Sequence, residues 1–139
     1  MLSSLSAYRH AKQSDSIRAT IAWLNQWPNP KDLRRLQEFD AYWRGSHDYA
    51  GRLGYRLEGF VVGADMQTPR LQQILLARSI HGILIPPHAH SFALPGFDWS
   101  QFSVVRLGTS VKNLRTHIVT SDQMNCAVMA FERMWARGY

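Results

Sequence analysis

The chain has 139 residues, of which 45% are hydrophobic and 19% are charged, which predicts one globular domain and excludes a disordered chain. The formal net charge of +6 would suit a polyanionic partner, but the basic residues are scattered and form no basic arm. Cys126 is the only cysteine, so an internal disulfide is excluded and a reducing compartment is indicated. We expect Cys126 to be buried as a small hydrophobic residue.

The start of the chain has no targeting signal that we can recognise. Residues 1–6 lack the basic region and the continuous apolar region of a secretory signal. No window contains the roughly 18 apolar residues that a membrane span needs. We therefore expect a soluble cytoplasmic protein with no membrane partner.

The first half of the chain alternates between strand and helix patterns. The predicted elements are, in order, a connector over 1–16, a strand over 17–24, a helix over 33–53 that stops at Gly54, a strand over 56–63, and a helix that begins at Thr68-Pro69 and is closed by His81-Gly82. Each strand pattern is bounded by glycine, proline or polar residues, as is typical of short strands in a sheet.

The second half contains three apolar runs and a final amphipathic helix. Residues 83–85 predict a third strand that Pro86-Pro87 cuts short, and a loop over 88–100 leads to a fourth strand over 102–107. The fifth strand covers 117–119, and its β-branched residues indicate a buried strand. The helix after Asp122 has one apolar face, made by Ala127, Ala130, Phe131 and Met134.

Strands separated by helices predict right-handed crossovers and a mainly parallel sheet. We therefore expect an α/β fold of three layers, with five strands and with helices on both faces of the sheet. In open sheets of this kind, ligands bind at the carboxyl ends of the strands. That edge is where we expect a binding site.

The residues that follow the predicted strands are candidates for that site. Trp27 follows the first strand, Pro87 and His88 the third, Ser110 the fourth and Asp122 the fifth. An aromatic ring beside hydroxyl, amide and carboxylate groups suits a sugar or another small polar ligand. The same residues are also good turn and cap residues, with Thr120, Ser121 or Asp122 available to cap the last helix. Both interpretations are open at this level.

Cofactor and metal chemistry find little support in the sequence. His88 and His90, with His81 nearby, could form half of a metal site, but no carboxylate or cysteine stands at ligand spacing to complete it. We expect His88 and His90 to be solvated loop residues. Neither a Gly-x-Gly-x-x-Gly turn nor a Walker lysine follows a strand, so no nucleotide cofactor is expected by those two routes.

Enzymatic activity is not expected either. Ser79, His81 and Asp98 lack the Gly-x-Ser-x-Gly turn that would expose a nucleophile, so a hydrolase triad is disfavoured. A small enzyme on a flavodoxin-like sheet remains an alternative, with Asp122 and His88 as its only acid–base pair. A stand-alone module that dimerises through the first helix is another.

Three stretches of the chain resemble the LacI/GalR-type transcriptional regulators. Gly45, Ala50 and the Gly54-Tyr55 pair match a "G-x-x-x-x-A-x-x-x-G-Y" passage from helix to strand. Residues 81–87 are similar to the "D-G-I-I" strand of that family, and residues 119–122 with 137–139 are similar to its "V-x-x-D" and "G-H/Y" ends. Each motif is short, but their order and separation hold over nearly the whole chain.

The resemblance implies the N-terminal lobe of a periplasmic-binding-protein-like effector domain of type I, over residues 17–139. It implies a helix-turn-helix head before this lobe and a second lobe after it, with residues 1–16 as a hinge remnant and Leu5 as a residue that enters the DNA minor groove. The implied partners are a sugar-like effector, operator DNA bound only through the head, and a second copy in a homodimer. The implied effector-binding residues are Trp27, Phe39, Pro87, His88, Ser110 and Asp122.

Two departures from the family pattern affect the expected pocket. His81 stands where the family usually has aspartate. Trp27-Pro28 and Phe39 replace the "N-P-F-F" entry to the first helix. The identity of the effector therefore does not follow from the resemblance.

Overall fold

Five parallel strands form the centre of the molecule. A computed structural model describes residues 17–63 and 66–139, so the expected connector over 1–16, with Leu5, lies outside the described residues. The strands lie in the order β2-β1-β3-β4-β5, and each neighbouring pair is parallel. They are β1 (Ala19–Asn25), β2 (Tyr55–Val61), β3 (Gly82–Ile85), β4 (Ser103–Leu107) and β5 (His117–Val119). The predicted α/β class is confirmed.

Helices pack on both faces of the sheet. The helices are α1 (Gln37–Arg52), which follows a 3-10 turn at Leu33–Arg35, α2 (Thr68–Ala77) and α3 (Gln123–Ala136). On one face, Trp43 and Ala50 of α1 pack with Trp23 and Leu57. On the other face, α2 contributes Leu71 and Leu75 to a cluster that contains Ala22, Leu24, Ile83 and Val104. Neighbouring residues of β1 therefore point into different layers, which is why its centre, 21–24, is apolar on both sides.

The long connection from β3 to β4 takes the place of a covering helix. Phe92, Leu94 and Phe97 are buried in the same cluster as α2. The connection then makes a 3-10 turn, Trp99–Gln101, before β4 begins. Apolar loop residues thus shield the part of this face that α2 does not reach.

The end of α2 differs from the prediction that His81 and Gly82 close it. The helix ends at Ala77, and the left-handed residue that follows is Ser79, with φ of 55°. The Ile80 N–H donates to the Leu75 carbonyl and the Ser79 N–H to the Leu76 carbonyl, which is a Schellman ending. Gly82 is instead the first residue of β3. The buried Ile80 side chain holds this ending in place although glycine is absent from the left-handed position.

The last strand and helix are exposed, which contradicts the expectation of a buried fifth strand. All three residues of β5 are exposed, and so is every residue of α3, including Cys126. The expectation that Cys126 is buried is therefore wrong as well. β5 is an edge strand that pairs only with β4, and no described residue packs against α3 closely enough to bury it. Among the described residues, no helix combines the length and the apolar character that crossing a membrane requires.

Candidate functional site

The carboxyl ends of the strands meet at one edge of the sheet because all the strands run in the same direction. Trp27 lies just after β1, Pro87 after β3, Ser110 after β4 and Asp122 after β5. The strand order reverses between β1 and β3, since α1 carries the chain to one side of β1 and the later strands lie on the other. In sheets of this order, that reversal point is where ligands bind.

Trp27 links the end of β1 to the end of β3. Its indole Nε1 donates a 2.9 Å hydrogen bond to the carbonyl of Pro87, and its backbone N–H donates to Asn25 Oδ1 at 2.9 Å. The ring of Phe39, near the start of α1, meets the Trp27 ring edge to face with centroids 6.4 Å apart. The indole is half-buried and held at both ends, so it can offer a fixed aromatic surface at the edge.

His88 makes a second link across the reversal point. Its Nε2 accepts a hydrogen bond from the Gln26 N–H at 2.9 Å, so its Nδ1 carries the proton and donates to the Pro86 carbonyl at 2.7 Å. The His88 N–H donates to Ser110 Oγ at 2.9 Å, which ties in the segment after β4. Both ring nitrogens are therefore occupied by the protein itself.

Burial also keeps His88 uncharged. The residue is 7% exposed, and its ring lies 4.8 Å from that of Phe92. Burial lowers the pKa of His88 to about 4, and the hydrogen bond to the Pro86 carbonyl acts in the opposite direction. The expectation of a solvated His88 is wrong, whereas His90 is exposed as expected.

Two polar residues at the end of β1 were not among the predicted site residues. Asn25 is 6% exposed and accepts the hydrogen bond from Trp27 described above. Gln26 Nε2 donates to the Ala93 carbonyl at 2.9 Å, and Gln26 Oε1 accepts from the Ala93 N–H at 3.0 Å. The available signal was a pair of amide side chains placed directly after an apolar strand and before a proline-rich loop.

Asp122 shares the edge but not the network. Its Oδ1 accepts a hydrogen bond from the Asn125 N–H at 3.0 Å, so it caps α3, as the sequence allowed. The structure thus joins Phe39, Trp27, Pro87, His88 and Ser110, and leaves Asp122 exposed and outside this network. The acid–base pair of the enzyme alternative is not formed, because the ring nitrogens of His88 bind Gln26 and Pro86.

The site is suited to binding through backbone groups and an aromatic surface. Across residues 17–63 and 66–139, no group of three or more histidine, cysteine, aspartate or glutamate side chains could hold a metal ion.

A cleft of about 400 Å³ opens next to Gln26, between the start of α2 and the loop residues Ala93 and Pro95. Its size is that of a pocket for a small molecule.

The comparisons with known proteins do not assign the chain to a family. No protein-family model matches it, and neither does a curated protein or a solved structure. The class that the structure defines is an α/β domain with a parallel sheet of order β2-β1-β3-β4-β5 and a braced reversal point between β1 and β3.

Proposed function

We propose that this chain is the N-terminal, effector-sensing lobe of a cytoplasmic LacI/GalR-type transcriptional regulator, and that its effector is a small sugar-like molecule. One observation carries the proposal. Trp27, Pro87, His88 and Ser110 form a hydrogen-bonded array at the reversal point of the sheet, where a ligand of such a lobe would sit. Phe39 extends the array with a second aromatic ring.

The array explains how a lobe of this kind would sense a ligand. Trp27 would pack against the apolar face of a sugar ring, and the polar groups at the edge would bind its hydroxyls. Pro87 and His88 would act mainly by holding this surface rigid, since their polar groups already have partners in the protein. Closure of a second lobe over the ligand would shift a two-state equilibrium because the ligand contacts the two states differently.

This role assigns the DNA contact and the pairing of subunits to the whole regulator. Operator DNA would be bound through a helix-turn-helix head, and the effector would alter how a homodimer presents two such heads. The effector site would lie between two lobes, of which this chain supplies one. We therefore expect this chain alone to bind sugars weakly or not at all.

The complete reading frame that contains this segment provides the test. We expect it to encode a helix-turn-helix before the lobe and a second α/β lobe after it. In the full-length protein, calorimetry against a panel of sugars should find one effector, and Trp27→Ala should weaken its binding about tenfold or more, the loss of one good aromatic contact.

Trp135→Ala is the matched control, since Trp135 is 71% exposed on α3 and lies outside the array. A reading frame without a second lobe, or a tight sugar complex formed by this chain alone, would contradict the proposal. Equal losses in the two tryptophan variants would contradict the placement of the effector site.

A stand-alone dimerisation module is the second candidate. The observation in its favour is the exposure of large apolar side chains, among them Tyr49 and Leu53 at the end of α1. Light scattering of this chain shows whether it associates on its own. Because both roles allow a dimer, a dimer that is lost in Tyr49→Glu would favour the module only together with a reading frame that encodes no second lobe.

A further inference from the structure

A second cleft shares no lining residue with the candidate effector site. It has a volume of about 950 Å³ and opens between β4, the start of β5 and the connection that joins them. Three cationic residues line it, Arg106, Lys112 and Arg115, and no aspartate or glutamate is among its lining residues. The cleft is therefore positively charged.

Arg106 is the unusual residue of this cleft. It lies within β4 and is only 7% exposed, yet no described carboxylate is close enough to form a salt bridge with it. Its Nε donates to Thr116 Oγ1 at 3.1 Å, and no other described residue accepts a hydrogen bond from its guanidinium group. The Thr116 hydroxyl in turn donates to the His117 carbonyl at 3.3 Å, which orients it as the acceptor for Arg106.

No buried side-chain nitrogen or oxygen of the described residues lacks a hydrogen-bond partner, so the terminal nitrogens of Arg106, which have none, open onto the cleft and can meet an anionic ligand. The terminal nitrogens of the guanidinium group form a planar fork that matches two oxygens of a phosphate. Lys112 and Arg115 are exposed on the connection beside it, so they can reach the same anion from the solvent side.

Two aromatic residues form a wall of the cleft. Trp99 and Phe102 both line it, and both pack on the buried Phe97, with ring centroids 4.5 Å and 5.0 Å away. Asp98 fixes the 3-10 turn that carries Trp99, because its Oδ1 accepts hydrogen bonds from the N–H and the hydroxyl of Ser100. The wall is therefore rigid and offers a flat apolar surface to a ligand ring.

We propose that this cleft binds a small phosphorylated ligand with a planar ring, of the nucleoside monophosphate class. The phosphate would bind Arg106, Lys112 and Arg115, and the ring would pack against Trp99 or Phe102. This role is independent of the effector site, since none of the residues that line the cleft belongs to the array of Trp27, Pro87, His88 and Ser110.

Titration of the chain with adenosine monophosphate, followed by calorimetry and by amide NMR shifts, tests the proposal. We expect saturable binding and shifts confined to residues 99–106 and 112–117, which include the cleft lining but not Ser110. The double variant Lys112→Ala/Arg115→Ala should weaken binding about tenfold or more, as expected for the loss of charge-assisted hydrogen bonds. Arg106→Lys keeps the charge but loses the fork, and we expect a loss of similar size.

Lys31→Ala/Arg70→Ala is the control. Both residues are exposed and lie outside the cleft, and their replacement removes the same amount of charge. Equal losses in the two double variants would overturn the site, as would shifts at the carboxyl edge or a failure to saturate at millimolar ligand. Inorganic phosphate should bind about tenfold more weakly than the nucleotide. Equal affinities would overturn the role of the aromatic wall.

Discussion

At the scale of single residues, the buried His88 connects more segments of the carboxyl edge than any exposed side chain there. Its ring and its backbone N–H connect the segments that follow β1, β3 and β4. A charged ring could not accept the hydrogen bond from Gln26, since both of its nitrogens would then be donors. The integrity of the edge is therefore linked to the neutral form of one imidazole.

This linkage predicts a pH dependence of stability. The pKa of His88 is about 4 in the folded protein and 6.5 as its ordinary value, so the unfolded chain binds more protons between these two values. The contribution is fully present above the ordinary pKa and is lost as the pH falls towards the folded pKa. Between about pH 7.5 and about pH 4.5, we expect His88 to account for roughly 2–3 kcal/mol of lost unfolding free energy.

Urea unfolding at several pH values measures this loss. His88→Gln should remove that part of the pH slope, whatever its effect on stability at neutral pH. His90→Gln should leave the slope unchanged, because His90 is exposed. If both variants keep the pH dependence of unfolding free energy that the parent protein shows, His88 is not its source.

Gly108 is the second residue on which the edge depends. Its φ is 75°, and a Cβ at this position would lie 3.3 Å from Cγ of Pro87. We expect Gly108→Ala to destabilise the fold by about 1–2 kcal/mol from the left-handed backbone, with a further cost of about 1 kcal/mol or more from crowding Pro87.

Gly96→Ala separates these two effects. Gly96 has φ of 76°, but a Cβ there would meet no atom within 4 Å. Chemical denaturation of both variants should show the larger loss for Gly108→Ala. Equal losses would mean that the contact with Pro87 is relieved at no cost.

At the scale of elements, α3 is the helix that the rest of the described chain does not stabilise. It has 14 residues, none of them buried, and its exposed apolar residues include Phe131 and Trp135, whose rings lie 6.3 Å apart. An isolated helix of this length is marginal in water. The helix therefore depends on contacts that the described residues do not supply.

Hydrogen exchange of the full chain tests the state of α3. In dilute protein, we expect its amides to exchange nearly as fast as those of an unfolded peptide. The amides of α1 serve as the comparison, because α1 has 16 residues and packs against the sheet through Ala50 and Trp43. Equal protection in α1 and α3 would show that α3 is packed against another surface.

At the scale of the whole molecule, net charge governs encounters with nucleic acid. The formal charge of +6 is spread over the chain, so a weak attraction to DNA is expected without any sequence preference. Gel shifts with several unrelated duplexes should show equal, weak binding that disappears as salt is raised. A sequence preference at physiological salt would place DNA recognition inside this lobe and contradict the assignment of that role to a separate head.

Most of the architecture followed from local pattern. Apolar runs separated by helical periods predicted five strands in a parallel sheet, and the ends of β5 were predicted to the residue. Gly54 was also expected to end the first helix, and its φ is positive. The end of α2 could not be predicted in this way, because Ser79 takes the left-handed position only with Ile80 buried behind it.

The candidate site was predictable in place but not in chemistry. The direction of the strands was enough to bring Trp27, Pro87 and Ser110 to one edge. The use of His88 as a buried brace was hidden, because its partner Gln26 is 62 residues away in the chain. The buried Arg106 was hidden for a similar reason, since its position in a strand does not show which neighbours surround it.

By itself, the sequence determined the class of fold and the edge at which side chains gather, because strand and helix periods and their alternation are local properties. Only the tertiary structure decided which of those side chains are exposed. His88, Arg106 and α3 show this, since burial and charge depend on which distant segments pack together. A residue's chemistry is set by those neighbours, and they are established only when the sheet and its connections assemble.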